Sequence, residues 1–330
     1  LTAQLWIFGG MFLGFGIKVP MFPFHTWLPD AHTEAPTVGS VILAAVLLKL
    51  GTYGFVRIAI PLLPDAAVEW APWIGLLAVI GIIYGAFCCL AQTDMKRLIA
   101  FSSVAHMGFV MLGISTLTDF GINAAIMGMV AHGLITGMLF FLAGSMKERY
   151  HTLEIKRLGG LLVQAPKMGW ILGFCAMASL GLPGLAGFWG EFPAILSAYN
   201  PANGLPVETF RTFMVIAALG TVLAAGYLLW LLQRSAFGTP KEEFAEDPNI
   251  YDTTKTEWIA WAPLLALILA IGIYPNLVFR ATDAAVDASL TPCLTIDADK
   301  STHEEIESAH CSEVYGLSDH GPDDHTASKG

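Results

Sequence analysis

Long apolar stretches separated by short polar connections fill the first 279 residues of the chain. A transmembrane helix needs about 20 predominantly apolar residues. Eight stretches come close to that length or exceed it: 3–22, 36–58, 72–91, 98–118, 121–146, 168–198, 212–234 and 258–279. The pattern predicts an all-α membrane protein, a polytopic bundle of about eight transmembrane helices.

Proline and glycine interrupt two of these stretches. The first ends in Lys18-Val-Pro-Met-Phe-Pro, and the sixth contains Leu180-Gly-Leu-Pro-Gly-Leu-Ala-Gly. Paired broken helices at corresponding positions indicate an ion site between structural repeats. Because the two are five spans apart, we expect antiporter-like inverted repeats with the first copy incomplete. The predicted parts are 1–60 for the end of the first repeat, 70–236 for the second, 257–279 for a final helix and 280–330 for a tail.

Charge separates the tail from the rest of the chain. Only 13% of residues are charged and the mean hydropathy is +0.61, whereas soluble proteins have about 25% charged residues. Residues 280–330 hold 11 acidic and 3 basic side chains, which account for most of the net charge of −10. We therefore expect an acidic, disordered tail on a transmembrane domain, 1–279, whose 16 acidic and 14 basic side chains nearly balance. The sequence shows no basic surface that would indicate binding to nucleic acid.

Basic residues mark one side of the predicted bundle. They lie in the connections after the third, fifth and seventh spans: Lys96, Arg97, Lys147, Arg149, Lys156, Arg157, Lys167, Arg234, Lys241 and Lys255. The opposite connections are acidic or neutral, with Asp65, Glu69, Asp119 and Glu208. The positive-inside rule makes the basic side cytoplasmic. The prediction is a multi-pass membrane protein with its tail on the outer side.

The start of the chain and its metal-binding residues are less informative. The chain opens with Leu1 directly into an apolar run without a basic segment, which is not typical of a signal peptide and suggests truncation at the N-terminus. The five cysteines show none of the spacings that hold zinc or iron–sulfur clusters. Histidines of the tail could bind a metal, but a solvated tail is the simpler interpretation: His303, His310, His320 and His325.

Three formal charges lie inside the predicted spans, away from the ends: Lys18, Lys49 and Glu191. Charge is costly at the bilayer centre and usually marks an ion or proton pathway. Snorkelling or a static ion pair is the alternative, and it fits Lys49 poorly because Lys49 lies near the middle of its span. Lys18 precedes Pro20 at a helix C-terminus, and Glu191 is expected in the first turn after Gly187, so each faces the helix pole that favours its charge.

Two histidines also fall in mid-span, His106 in SSVAHMGF and His132 in MVAHGLITG. Imidazole titrates near neutral pH and can pass protons, although a lone buried histidine is more often structural. His25 and His32, in the connection HTWLPDAHTEAP, either serve a cytoplasmic route for protons or tether the loop.

Four segments resemble a known family: FGIKVPMFPFHTWLPDAHTEAPTVGSVILAAVLLKLGTYGFVRI, DMKRLIAFSSVAHMGFVMLGI, MVAHGLITGMLFFLAG and SLGLPGLAGFWGEF. Over residues 3–279 the chain resembles subunit M, an antiporter-like, proton-pumping subunit of bacterial type-1 NADH-quinone oxidoreductase (respiratory complex I). Glutamate at position 191 resembles subunit M, because subunits L and N have lysine at the broken helix. Sodium/proton antiporters and membrane-bound hydrogenases share the architecture and are the alternative.

The resemblance implies a proton relay through Lys18, Lys49, His106, His132 and Glu191. It implies no cofactor in this chain, since NADH, FMN, the iron–sulfur clusters and quinone belong to other subunits. The implied partners are the antiporter-like subunits L and N, the lipid bilayer and protons. It also implies a glutamate on an earlier helix, outside this sequence, that pairs with Lys18. A static scaffold between pumps is a third reading, which the three intramembrane charges disfavour.

Overall fold

The computed structural model describes residues 1–290, and every regular element in that range is helical. The α-helices are α1 Thr2–Lys18, α2 Trp27–Glu34, α3 Thr37–Ile42, α4 Lys49–Gly54, α5 Ile60–Leu62, α6 Pro64–Ala91, α7 Met95–Ser115, α8 Asp119–Tyr150, α9 Leu161–Gln164, α10 Pro166–Ser179, α11 Ala186–Ser197, α12 Val207–Ser235, α13 Lys255–Ile273 and α14 Asn276–Leu290. Two π-helical segments, Leu43–Leu47 and Phe55–Ala59, join α3, α4 and α5 into one rod, and a 3-10 turn covers Glu242–Phe244.

Six helical stretches of the described residues are long and apolar enough to cross a membrane: Thr37–Leu62, α6, α7, α8, α12 and α13. The other two predicted spans are the interrupted ones. They correspond to α1, which has 17 residues and ends at Lys18, and to the pair α10 and α11, which residues 180–185 separate. The prediction of an all-α membrane bundle with two broken helices is confirmed.

Helix α7 forms the centre of the bundle. Its most apolar 18-residue window is entirely buried within the protein, whereas only 22% of the corresponding window of α13 is buried. Helices α2, α6, α8 and α11 pack around α7. The outer helices expose large apolar side chains such as Trp6 and Ile259, 81% and 75% exposed. Helices that are apolar on every side fit this arrangement only where lipid covers the outside.

Several helix boundaries differ from the prediction, those of α6 and α8 among them. Helix α6 begins at Pro64, eight residues before the predicted start, because proline suits the first helical position, where an N–H would lack a partner. Asp65 and Glu69 therefore belong to α6 and not to a loop. Helix α8 continues to Tyr150, beyond the predicted end at 146.

The extension of α8 changes the role of Arg149. This residue was predicted as a loop cation but is only 1% exposed. Its guanidinium makes two hydrogen bonds to the Glu257 carboxylate of α13, at 2.8 and 2.9 Å, and covers the Tyr251 ring at 4.3 Å. A buried charge needs such a partner. Arg149 thus ties α8 to α13 and adds no free positive charge to that side.

The prediction of disorder is wrong for the first part of the tail. Residues 280–290 belong to α14, which packs against α8. Val286 and Leu290, one helical turn apart, are 1% and 4% exposed, and Thr282 Oγ1 donates a 2.8 Å hydrogen bond to Asn123 Oδ1. Apolar residues at this spacing form a helix face that can be buried. The remainder of the tail, 291–330, lies outside the described residues.

Candidate functional site: a buried row of titratable side chains

Lys49 lies in an irregular part of its transmembrane rod. The preceding π segment ends with the Leu48 N–H bonded to the Leu43 carbonyl, five residues back. Such wider turns occur frequently at functional sites. The Lys49 ammonium donates a hydrogen bond to the Ala44 carbonyl oxygen in this segment. The backbone therefore gives the charge an acceptor within an otherwise apolar span.

His132, near the middle of α8, is the second acceptor for Lys49. The His132 side chain is 6% exposed, and its Nδ1 lies 2.6 Å from Lys49 Nζ. An ammonium group only donates hydrogen bonds, so Nδ1 is the acceptor and Nε2 carries the ring proton. Nε2 is buried and has no hydrogen-bond partner among the described residues.

His106 of α7 contacts a carboxylate with one ring nitrogen and two hydroxyl groups with the other. Its Nδ1 lies 2.6 Å from Glu191 Oε1, and the two side chains are 6% and 12% exposed. Its Nε2 lies 3.0 Å from Ser179 Oγ and 3.1 Å from the Tyr227 hydroxyl. Hydroxyl groups that donate to Nε2 favour the tautomer in which Nδ1–H donates to Glu191.

His132 and His106 bring the Lys49–His132 pair close to the His106–Glu191 pair. Their ring centroids are 5.9 Å apart, and both line a small cavity that Glu191 also lines. The cavity offers about 20 Å³ to the centre of a water molecule, and about 10–15 Å³ suffices for one. Lys49, His132, His106 and Glu191 therefore form a row, in this order, across the four helices α4, α8, α7 and α11, and the gap between the two histidines is large enough for a water.

The broken helix places the carboxylate. Between α10 and α11, Gly181 and Gly184 have φ angles of +77° and +92°, which glycine adopts at little cost. Because α11 begins at Ala186, Glu191 is its sixth residue and lies in the second turn. The expected position in the first turn was wrong. His106, rather than the helix N-terminus, is the direct partner of the carboxylate.

The C-terminal end of α13 packs against the interruption between α10 and α11. The last carbonyl groups of a helix lack intrahelical partners, and the Gly272 carbonyl accepts a 2.8 Å hydrogen bond from Trp189 Nε1. A methyl group on Gly272 would overlap the backbone of Gly184 and Leu185. The absence of a side chain at Gly272 therefore allows α13 to contact the helix that holds Glu191.

Lys18 stands apart from the row. It is the last residue of α1 and is half-buried. Within residues 1–290, no carboxylate lies inside the ion-pair distance of about 4 Å from its ammonium group. Of the five predicted site residues, the structure thus brings four together and leaves Lys18 outside their hydrogen bonds.

His25 and His32 are buried in the connection between α1 and α3. Burial lowers the pKa of His25. Burial also lowers the pKa of His32 to about 4, with smaller contributions from the charges of Lys96 and Lys49. His32 is fully buried and stacks on the Phe140 ring, with centroids 4.4 Å apart. His25 Nδ1 and both ring nitrogens of His32 are buried without a hydrogen-bond partner among the described residues, so the proton route and the loop tether both stay predictions.

Sequence reasoning missed Ser179 and Tyr227. Both are buried, at 4% and 0% exposure, and both contact His106. Serine and tyrosine carry no formal charge, so neither stands out in an apolar span. Their contacts with His106 span long sequence separations, 73 positions for Ser179 and 121 positions for Tyr227.

The described residues contain no group of three or more histidine, cysteine or acidic side chains that could hold a metal ion. The histidines considered as tail ligands lie outside this range.

A polytopic helical bundle with a row of titratable side chains through its interior defines the class of protein, a multi-pass membrane protein with ionisable groups inside the bundle. The family model described as "NADH:quinone oxidoreductase/Mrp antiporter, TM" matches residues 2–223. The chain belongs to this family.

Curated relatives and solved structures agree with this assignment. The chain is 43% identical over 287 residues to NADH-quinone oxidoreductase subunit M of Rickettsia prowazekii (strain Madrid E), covering 87% of this chain and 56% of the relative. It is 43% identical over 281 residues to NAD(P)H-quinone oxidoreductase chain 4 3 of Trichormus variabilis, covering 85% and 52%. The chain thus spans about half the length of the curated relatives it matches.

Among solved structures, a chain of respiratory complex I from Thermus thermophilus with bound NADH superposes with a TM-score of 0.78 and 34% identity, covering 87% of this chain and 58% of that one. A chain of the Mrp complex from Dietzia sp. DQ12-45-1b gives a TM-score of 0.73 at 19% identity, with 87% and 59% covered. The second similarity, at low identity, concerns the fold alone.

Proposed function

We propose that the chain is a proton-translocating membrane subunit, of the M type, in an NADH-quinone oxidoreductase. The observation that carries the proposal is the row Lys49, His132, His106 and Glu191 inside the bundle, in which two pairs of titratable groups are in hydrogen-bond contact. Both histidines are buried, and Lys49 and Glu191 are partly buried. Intramembrane ionisable residues that pair with one another are typical of proton relays. The names of the relatives supply the electron-transfer setting, in which NADH, FMN, iron–sulfur clusters and quinone are held by other subunits.

Each member of the row has a distinct part in the proposed transfer. The Lys49 ammonium donates to His132 Nδ1, so a proton that moves to this nitrogen releases another from Nε2 on the far side of the ring. A water in the adjoining cavity can carry that proton towards His106. When His106 takes up that proton at Nε2, its Nδ1 releases a proton to the Glu191 carboxylate, which is the last acceptor in the row.

Transfer must be coupled to a source of energy outside this chain. Moving one charge across 100 mV costs about 2.3 kcal/mol, and one pKa unit corresponds to about 1.36 kcal/mol. A change of one or two units in the proton affinity of a row member is therefore of the right size. We propose that contacts with the antiporter-like subunits L and N transmit this change, and that Lys18 connects to a carboxylate outside the present sequence.

The orientation and location complete the proposal. The positive-inside rule supports a cytoplasmic position for Lys96, Lys156 and Lys241 in a bacterial cell membrane. The C-terminal tail then lies on the outer side. Labelling of Cys311 by a membrane-impermeant thiol reagent in intact cells tests this orientation; labelling only in inverted vesicles would contradict it.

Replacing Lys49 by alanine in the intact complex tests the function. We expect NADH-driven proton pumping to be largely lost while the subunit still assembles, because the row loses its charged end. The exposed Lys147→Ala is the matched control and should pump normally. Near-normal pumping by Lys49→Ala would remove Lys49 from the relay. Sodium-for-proton exchange without NADH oxidation would instead favour the antiporter alternative.

A further inference from the structure

A basic pocket lies at the C-terminal end of α12 and shares no residue with the titratable row. Its volume is about 400 Å³, which is within the range of ligand sites. The lining comes from the connection after α8 and from the end of α12: Ile155, Lys156, Leu158, Gly159, Gln233, Arg234, Phe237, Gly238, Thr239 and Lys241. Three of these residues are cationic and none is acidic.

The cations of the pocket are available to a ligand. Lys156, Arg234 and Lys241 are exposed, and within residues 1–290 none of them forms an ion pair. The neighbouring Glu243 is already paired with Arg157. Positive charge therefore converges here without an internal counter-ion on the pocket wall.

The backbone adds hydrogen-bond donors. The N–H groups of Gly238 and Thr239 follow the end of α12 and bond to no acceptor in the described part of the chain. The Gly238 φ angle of +85° turns the chain at this point. Cations beside free N–H groups are the donor set that binds phosphate oxygens.

Apolar side chains at the same pocket select among phosphate-bearing molecules. Phe237 lines the pocket and is 56% exposed. Arg234 covers the Trp230 ring at 4.9 Å, and tryptophan is typical of the membrane–water interface. Inorganic phosphate has no apolar part that could contact an exposed phenyl ring. An amphiphile can place its headgroup on the cations and its chain beside Phe237.

We propose that this pocket binds the phosphate headgroup of an anionic phospholipid. Lys156, Arg234 and Lys241 contact the phosphate, and Phe237 contacts the upper acyl chain. The inference does not depend on the relay, because none of these residues belongs to the row. It does follow the orientation proposed above, since basic pockets on the cytoplasmic side face the leaflet that carries anionic lipid.

Binding of fluorescent phosphatidylglycerol to the purified intact complex tests the site. The triple variant Lys156→Gln/Arg234→Gln/Lys241→Gln should weaken binding by about fivefold per removed cation, from about 1 kcal/mol each. The control Lys147→Gln/Lys167→Gln/Lys255→Gln removes the same charge from the same predicted side but leaves the pocket intact, and it should bind like the parent. The charge-preserving Lys156→Arg/Arg234→Lys/Lys241→Arg should also retain binding, which separates loss of charge from misfolding.

Competition distinguishes the ligand sources. Inorganic phosphate should not displace the lipid probe, and phosphatidylcholine should compete poorly. Displacement by inorganic phosphate would replace the lipid site by a soluble-phosphate site. Equal losses in the pocket and control triples, or no loss in either, would show that the pocket contributes nothing specific and would overturn the proposal.

Discussion

Each of the two broken helices of this protein contains one charged residue, Glu191 in one and Lys18 in the other, and their surroundings differ. Glu191, after the break between α10 and α11, is bonded to His106 at 2.6 Å, and its segment contacts α13 through Trp189 and Gly272. Lys18, at the break that ends α1, has no carboxylate at ion-pair distance within the described residues.

The comparison shows that a break in a helix does not by itself make an ion site. At Glu191 the surrounding helices supply an imidazole, and through it two hydroxyl groups. At Lys18 the helix C-terminus favours the positive charge by only about 0.3–1 kcal/mol. A charge in a break becomes part of a network only where neighbouring helices present partners.

The largest effect is expected at Glu191. Glu191→Gln keeps the size and the hydrogen-bonding capacity of the side chain but removes its titration, so we expect proton pumping to be strongly impaired. Glu191→Asp retains a carboxylate and should preserve more of the pumping. Pumping by the intact complex is measured for both variants, and equal losses would indicate a structural role for Glu191.

The support of the second break can be tested at Gly272. Gly272→Ala introduces a methyl group against Gly184 and Leu185, and overpacking of this kind costs about 1–3 kcal/mol. We expect a lower thermal-unfolding midpoint and reduced pumping, because the segment that holds Glu191 must move. Gly226→Ala is the matched control, since a methyl group there meets no other atom. Unchanged unfolding and pumping in Gly272→Ala would show that this contact is dispensable.

Much of the fold follows from the sequence because membrane helices leave a strong signal. Uninterrupted apolar length predicted the continuous spans, and proline with glycine predicted both breaks. The α14 helix was missed because the tail was assessed by its acidity. A spacing of four residues through Val278, Thr282, Val286 and Leu290 is nevertheless present in the sequence and could have indicated a helix with one buried face.

The candidate site could be predicted only where chemistry stands out against an apolar background. Lys49, His106, His132 and Glu191 were selected because each is polar in mid-span, and the structure brings them into one row. Their relay role stays a prediction. Tyr227 could not be selected in this way, because tyrosine is ordinary in such helices and only the packing of α12 against the bundle brings it to His106.

A smaller effect is expected from Tyr227→Phe, which removes the hydroxyl group from His106 and keeps the ring. The loss of one hydrogen bond costs about 0.5–1.5 kcal/mol. Ser179 still donates to the same nitrogen, so the tautomer of His106 is weakened rather than lost. We expect a modest decrease in pumping, and Ser179→Ala combined with Tyr227→Phe should decrease it more than the sum of the single changes. Additive effects would show that the two hydroxyl groups do not compensate for each other at His106.

The smallest effect on stability is expected at Lys18. Lys18→Met retains the length of the side chain and removes a charge that pairs with no described carboxylate, so only the interaction with the α1 C-terminus is lost, about 0.3–1 kcal/mol. Glu191→Met, by contrast, leaves the buried His106 Nδ1–H without its acceptor, and an unsatisfied buried donor costs about 1–3 kcal/mol. Thermal unfolding of the two variants in the purified complex should therefore differ clearly, with Lys18→Met close to the parent. A loss at Lys18 as large as that at Glu191 would mean that Lys18 has a strong partner in the assembled complex, and the contrast between the two breaks would then be confined to the chain itself.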